Sequence, residues 1–199
     1  LSSGEHEVEV YFPWEACFAV KDVTLEDGAT VKGVNRKKRL LAFGDSITQG
    51  VYSRHPSLCY ACRLADLLNA DLCNKGIGGD MVRPELLCEA EPDGAPDLIT
   101  VAYGTNDWSK SSPETFERDC REFYKTVSEI YPNAKIFGIT PPWNKNFDNT
   151  QKAMTFKELS DKIERLTSDL KNVTIIRGDD LIPHDEKYFG DLFVHPNND

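Results

Sequence analysis

The chain has 199 residues, 40% of them hydrophobic and 28% charged, with a formal net charge of −10. That length suits one domain built around a single sizeable core, and the composition is that of a globular protein. The acidic balance argues against nucleic acid or an anionic membrane as the main partner, and no apolar run approaches the ~20 residues of a spanning helix.

The chain starts with neither an initiator Met nor a signal-peptide pattern and reads as a piece of a longer protein. "HEVEVYF" (His6 to Phe12) alternates polar and apolar residues, the period of a half-buried strand. "CFAVKDVTL" repeats that signal, and Glu26-Asp27-Gly28 supplies a turn before "ATVKGV". A basic linker, Asn35 to Arg39, follows. Residues 1–38 are therefore expected to form a small β appendage, the tail of a larger upstream β domain.

Residues 39–199 change rhythm. "RLLAFG" reads as a strand, "SLCYACRLADLLN" as a helix, "ADLCNKG" as a second strand, and "RPELLCEA" holds a short helix. "PDLITVAYG" is continuously apolar, as a strand covered on both faces should be. A helix begins at Ser112-Pro113-Glu114, with Ser112 as cap and Pro113 in its first position. Phe116, Cys120, Phe123, Val127 and Ile130 line one side of it, and Pro132-Asn133 ends it. "AKIFGIT" is the fourth strand, a polar loop "PPWNKNFDNTQ" follows, and Leu159, Ile163, Leu166 and Leu170 mark one more helix. "VTIIRG" is the fifth strand. Alternating strands and helices of this kind predict a doubly wound α/β fold: a three-layer α/β/α sandwich around a flavodoxin-like, five-stranded parallel sheet.

Six cysteines are present, but a chain of this size needs no disulfide staples. Cys59 and Cys62 form a lone CxxC inside the predicted helix, without the partner pair that structural zinc requires. Free thiols behaving as small hydrophobes are expected, which favours a reducing, cytoplasmic setting. No cofactor is implied.

In a parallel sheet the binding crevice lies beyond the carboxyl ends of the strands. Those ends carry Gly44-Asp45-Ser46, then "NKGIGGD" (Asn74 to Asp80), "YGTNDW" (Tyr103 to Trp108), "TPPWNKN", and finally "GDLFVHPNN". Serine, glycine, asparagine and histidine thus converge on one rim. Acyl transfer needs such a set: a hydroxyl to attack, a neutral imidazole to take its proton, and uncharged N–H donors for the developing oxyanion.

These blocks, in this order, resemble the SGNH (GDSL-type) hydrolase superfamily. "FGDSITQG" is similar to the family's first block, "NKGIGGD" to the second, "YGTND" to the third and "VHPN" to the last. The resemblance implies the same three-layer fold. It also implies a nucleophile at Ser46, a base at His195, and an oxyanion hole from the Ser46 and Gly79 N–H groups with the Asn106 amide. The family places an Asp three residues before the His, where this chain has Leu192; Asp191 lies four before. Asp191 is taken as the third member of a triad, with a Ser–His dyad oriented by a backbone carbonyl, Asp185 or Glu186 as alternatives. Asp45, Trp108 and Trp143 are placed among the substrate-binding residues, and Asp107 is left structural.

The chain is accordingly expected to be a carboxylic ester hydrolase cleaving small acyl esters, acetyl first, on carbohydrates. Acyl transfer and lysophospholipase or thioesterase activity on the same fold are alternatives, as is a non-enzymatic flavodoxin-like or glycan-binding module. The last lacks a phosphate-cradling glycine motif. His184 is a rival base beside an acid but is read as a solvated loop residue; His55 and His6 are assigned no role. The partner expected is a small-molecule or glycan ester, and the oligomeric state is left open.

Overall fold

The computed structural model describes residues 4–13, 16, 19–87, 94–152 and 154–198. These residues form five strands, β1 (Lys38–Gly44), β2 (Ala70–Gly76), β3 (Leu98–Ala102), β4 (Lys135–Ile139) and β5 (Val173–Ile176). Among them lie the helices α1 (Ser46–Gln49), α2 (Tyr60–Leu68), α3 (Asp107–Lys110), α4 (Pro113–Ile130) and α5 (Phe156–Thr167). All strand pairs are parallel, in the order β2-β1-β3-β4-β5. The strand order reverses between β1 and β3, which in open α/β sheets is where ligands bind.

Alternation along β1 sorts its side chains onto two faces. Leu41 and Phe43 join Ile99, Val101 and Ile136 in the main core, under α4 and α5. Leu40 and Ala42 face the other way, where Ala61 and Ala65 of α2 pack closely because they are small. The result is the three-layer sandwich that the strand–helix rhythm predicts. Helix α4 presents Phe116, Cys120, Phe123 and Val127 to the core at helical spacing, all at most 1% exposed. Burying a side chain such as Phe123 contributes ~1.5–3 kcal/mol. Ser112 caps α4 by accepting the Thr115 N–H, and Thr155 with Glu158 closes a reciprocal capping box at α5.

The expected β appendage is not seen among the described residues. Among the described residues before Lys38 there is no strand, and the alternating apolar side chains face solvent: Val8, Val10 and Val31 are 67%, 68% and 74% exposed. A strand needs a neighbour to pair its N–H and C=O groups, and among the described residues no strand pairs with this segment. The segment is tied to the body by Arg36, which pairs with Glu7 and Glu9 and donates to Asn69 Oδ1. The helix expected over "RPELLCEA" is a 3-10 turn at Pro84–Leu87, and residues 88–90 of that stretch lie outside the described residues, as does Cys17. Cys59, Cys62 and Cys120 are free thiols; Cys59 Sγ caps α2 by accepting the Cys62 N–H at 3.4 Å.

Candidate active site

Ser46 opens α1 directly after β1, and the turn between them is held by Asp45, whose Oδ1 accepts the Ile47 N–H at 3.0 Å. The hydroxyl of Ser46 lies 2.8 Å from Nε2 of His195, 149 residues away in sequence. Nδ1 of the same ring lies 2.6 Å from Asp191 Oδ2. A carboxylate can only accept, so Nδ1 carries the proton and the Nε2 lone pair is turned toward Ser46. The structure thus joins Ser46, His195 and Asp191 in one hydrogen-bonded line.

Asp191 also organises its own loop. Its Oδ1 accepts backbone N–H groups from Phe193, Val194 and His195 at 2.9, 2.8 and 3.1 Å. Burial pushes its pKa up, but the imidazole and these three amides outweigh burial and hold it below the usual carboxylate value. The residue in the family's Asp position, Leu192, adopts φ +56° with its side chain 56% exposed. This left-handed turn takes up the extra residue and lets a carboxylate four positions back reach the ring. The backbone-carbonyl alternative therefore does not arise at Nδ1. Asp185 instead caps the 3-10 turn Glu186–Tyr188 and pairs with Lys187, and Glu186 faces Lys145 at 3.8 Å.

Gly79 and Asn106 arrive from the ends of β2 and β3. Gly79 has φ +80°, a conformation that glycine adopts without steric cost. The neighbouring Gly78 N–H is engaged by Gln49 Oε1 at 2.6 Å, and the Gly79 carbonyl accepts Lys110 Nζ at 2.8 Å. Asn106 precedes α3, yet its side chain makes no capping bond to that helix. Its Nδ2 donates instead to Asp45 Oδ2 at 3.4 Å, which links the residue before Ser46 to the asparagine amide.

Two residues placed in the substrate site from sequence are core. Asp45 is 1% exposed, and burial pushes its carboxyl up to about 7 despite the Ile47 N–H; its oxygens meet Ile47 and Asn106. Trp108 is 7% exposed, stacks on Phe156 at 4.5 Å and donates Nε1–H to the Asn149 carbonyl. A rim position in sequence does not fix which way a side chain turns, and here the apolar ring is drawn inward. Trp143 is partly buried, stacked on His184 at 5.0 Å and packed against Phe189. His184 Nε2 bonds the Asp179 carbonyl. Asp107 is structural: it accepts from the Val82 N–H and the Ser111 hydroxyl.

Sequence reasoning missed Tyr52, whose ring stacks on His195, and Lys110. Neither signal is visible in a linear chain, since both act across turns set by tertiary structure. A mainly apolar cavity of about 380 Å³ is lined by Ile47, Thr105 and Pro196, each one residue away from a site residue. Ser46, Gly79, Asn106 and His195 do not line it.

The pattern of the GDSL-like lipase/acylhydrolase family matches residues 42–199. A search of curated proteins finds no match. Among solved structures, a candidate GDSL-like lipase from Bacteroides ovatus is 24% identical with a TM-score of 0.69, over 84% of this chain and 50% of its own. Salicylyl-acyltransferase SsfX3, from a tetracycline biosynthetic pathway, is 20% identical with a TM-score of 0.73, over 87% of this chain and 54% of its own. A carbohydrate esterase family 2 enzyme with a carbohydrate-binding domain, from Corynascus thermopiles (Myceliophthora fergusii), is 18% identical with a TM-score of 0.68. It is covered over 64% of its length, against 86% of this chain. The chain thus spans half to two thirds of the length of these three structures, which share its fold. The family match covers most of the sequence: this chain belongs to the GDSL-like lipase/acylhydrolase family, within the SGNH hydrolase superfamily.

Proposed function

We propose that this chain hydrolyses small acyl esters, acetyl first, on carbohydrates, through an acyl-enzyme on Ser46. The observation that carries the proposal is the line Asp191–His195–Ser46, with contacts of 2.6 and 2.8 Å. Ser46 Oγ attacks the ester carbonyl carbon while its proton passes to His195 Nε2. The resulting imidazolium is stabilised by the Asp191 carboxylate. The carbonyl oxygen becomes an anion, received by the Ser46 and Gly79 N–H groups and the Asn106 amide. Collapse breaks the carbon–alkoxy bond, and His195 returns its proton to the leaving alcohol. Water, deprotonated by the same imidazole, then releases the acid and restores Ser46.

The family supports ester hydrolysis, and the carbohydrate esterase of like fold supports a sugar ester. Acyl transfer to an alcohol is a second reading, favoured by the likeness to a salicylyl-acyltransferase; it requires only that an alcohol replace water in the second step.

The test is hydrolysis of p-nitrophenyl esters of increasing chain length and of acetylated sugars, wild type against Ser46→Ala. Rates that fall with chain length and vanish in the variant support the proposal. Equal rates for the two proteins would remove Ser46 as nucleophile. Ester formation on adding an alcohol acceptor would favour transfer.

A further inference from the structure

The turn that follows the nucleophile helix is unusual. Gly50 ends α1 with φ +102°, and both Gly50 and Val51 donate their N–H groups to the Ser46 carbonyl. Two residues on, Tyr52 also takes a positive φ, +66°, which a bulky side chain rarely adopts. Such a conformation costs free energy and persists where surrounding contacts fix it.

The contacts are those of its ring. Tyr52 stacks on the His195 imidazole with centroids 5.4 Å apart and planes 28° from parallel, an offset-stacked geometry. It also lies directly against Gly190: a Cβ at that position would come within 2.8 Å of Tyr52 Cβ and Cδ1. Gly190 in turn donates its N–H to the His195 carbonyl at 2.8 Å, closing the loop that carries the imidazole. The same two loops are joined again where Arg54 N–H meets Asn198 Oδ1 at 2.7 Å and Asn198 Nδ2 meets the Leu58 carbonyl.

Asp191 fixes one edge of the imidazole but leaves the ring free to rock about the Nδ1–H bond. An aromatic face laid on it removes that motion, so Nε2 stays aimed at Ser46. We infer that Tyr52 is a positioning residue for the base: strained backbone next to the nucleophile holds an aromatic plate on His195, so that one turn sets both ends of the proton transfer. This rests on the proposed ester hydrolysis at Ser46, since it concerns how that site is held.

The test uses Tyr52→Asn, Tyr52→Phe, Gly190→Ala and the Tyr52→Asn/Gly190→Ala double variant, with Ser46→Ala as reference. Asparagine tolerates positive φ, so the first removes the ring while keeping the turn. Small misplacements of catalytic groups cost up to ~10²-fold. Tyr52→Asn is therefore expected to lower kcat on p-nitrophenyl acetate by about ten- to a hundredfold with KM within twofold. The rate at which an organophosphonate ester labels Ser46 should fall by the same factor. Tyr52→Phe should restore both. Gly190→Ala should reproduce the loss by displacing the ring, and should add nothing in the Tyr52→Asn background.

Wild-type kcat in folded Tyr52→Asn, a rise in KM alone, failure of Phe to rescue, or additive losses in the double variant would each overturn the inference and leave the hydrolase reading standing. Activity and labelling retained in Ser46→Ala would instead overturn the reading itself, and this inference with it.

Discussion

The two halves of the site are held in different ways. Ser46 and Asn106 stand at the starts of short helices whose neighbouring residues are buried: Thr48, Asp107 and Trp108 are 0%, 1% and 7% exposed. Asp191 and His195 belong to an irregular loop, closed by an isolated bridge between Phe189 and Pro196 and by the four bonds that Asp191 makes. Ser46 and Asn106 are placed by packing, whereas His195 is met by one carboxylate and one aromatic ring. Damage to the first half should therefore show in stability and rate together, and damage to the second chiefly in rate.

Asp191→Asn tests the loop half most severely. Its amide can still accept from the three backbone N–H groups but would donate to Nδ1, leaving a proton on Nε2 that faces Ser46. We expect kcat to fall about 10⁴-fold with an unchanged melting temperature. Asp191→Ala should add a lower melting temperature, because the three amides lose their acceptor. A loss below tenfold in the Asn variant would mean that another group orients His195.

In the packed half, Asn106→Ala should lower kcat by ~10²–10³-fold, the usual effect of losing one oxyanion donor. Steady-state kinetics on the acetyl ester would measure it, and an unchanged kcat would take Asn106 out of the reaction.

The buried carboxyls of that half predict a pH dependence of opposite sign to ordinary acid unfolding. Burial raises Asp45 to about 7 and Asp107 to about 6, against 3.8 for a free side chain. Across the window from pH 4 to 7 the folded state thus binds more protons than the unfolded state, and stability falls as pH rises. Carboxylates held low, such as Asp191 and Asp161, titrate below that window. Urea midpoints should be higher at pH 5 than at pH 7.5, and Asp107→Asn should flatten the difference. A midpoint that rises over this range would refute the assignment.

Smaller effects sharpen the contrast. Lys110→Met, which releases the Gly79 carbonyl, should cost about two- to fivefold in kcat, in line with an exposed polar contact. Removing residues 1–34 should move the unfolding free energy by less than about 1 kcal/mol, since its described ion pairs are largely exposed and its described apolar side chains are not buried. A larger loss in calorimetry would show that the segment packs on the body.

Much of the α/β body was legible because its signals agree. "DLITVAYG" could only be a strand covered on both faces, and Phe116 to Val127 only the buried stripe of a helix. The amino-terminal segment has the same alternation, yet its described residues form no strand, since alternation by itself creates no pairing. In the site, Ser46, Gly79, Asn106 and His195 were readable as residues in ordered blocks. The Asp191 contact was ambiguous by one position, because the left-handed turn at Leu192 that resolves it leaves no mark on a leucine. Trp108 and Asp45 misled for a related reason: sequence places a residue at the end of a strand but not the direction in which its side chain turns.

Helix α3 is four residues long, with Asn106 just before it, Lys110 at its end and Trp108 inside it, stacked on Phe156. The Asn106 amide and the lysine that bonds the Gly79 carbonyl therefore flank one core tryptophan as a common hub. On the proposed hydrolysis, reshaping the interior around Phe156, itself 1% exposed, would then be felt as a change in turnover.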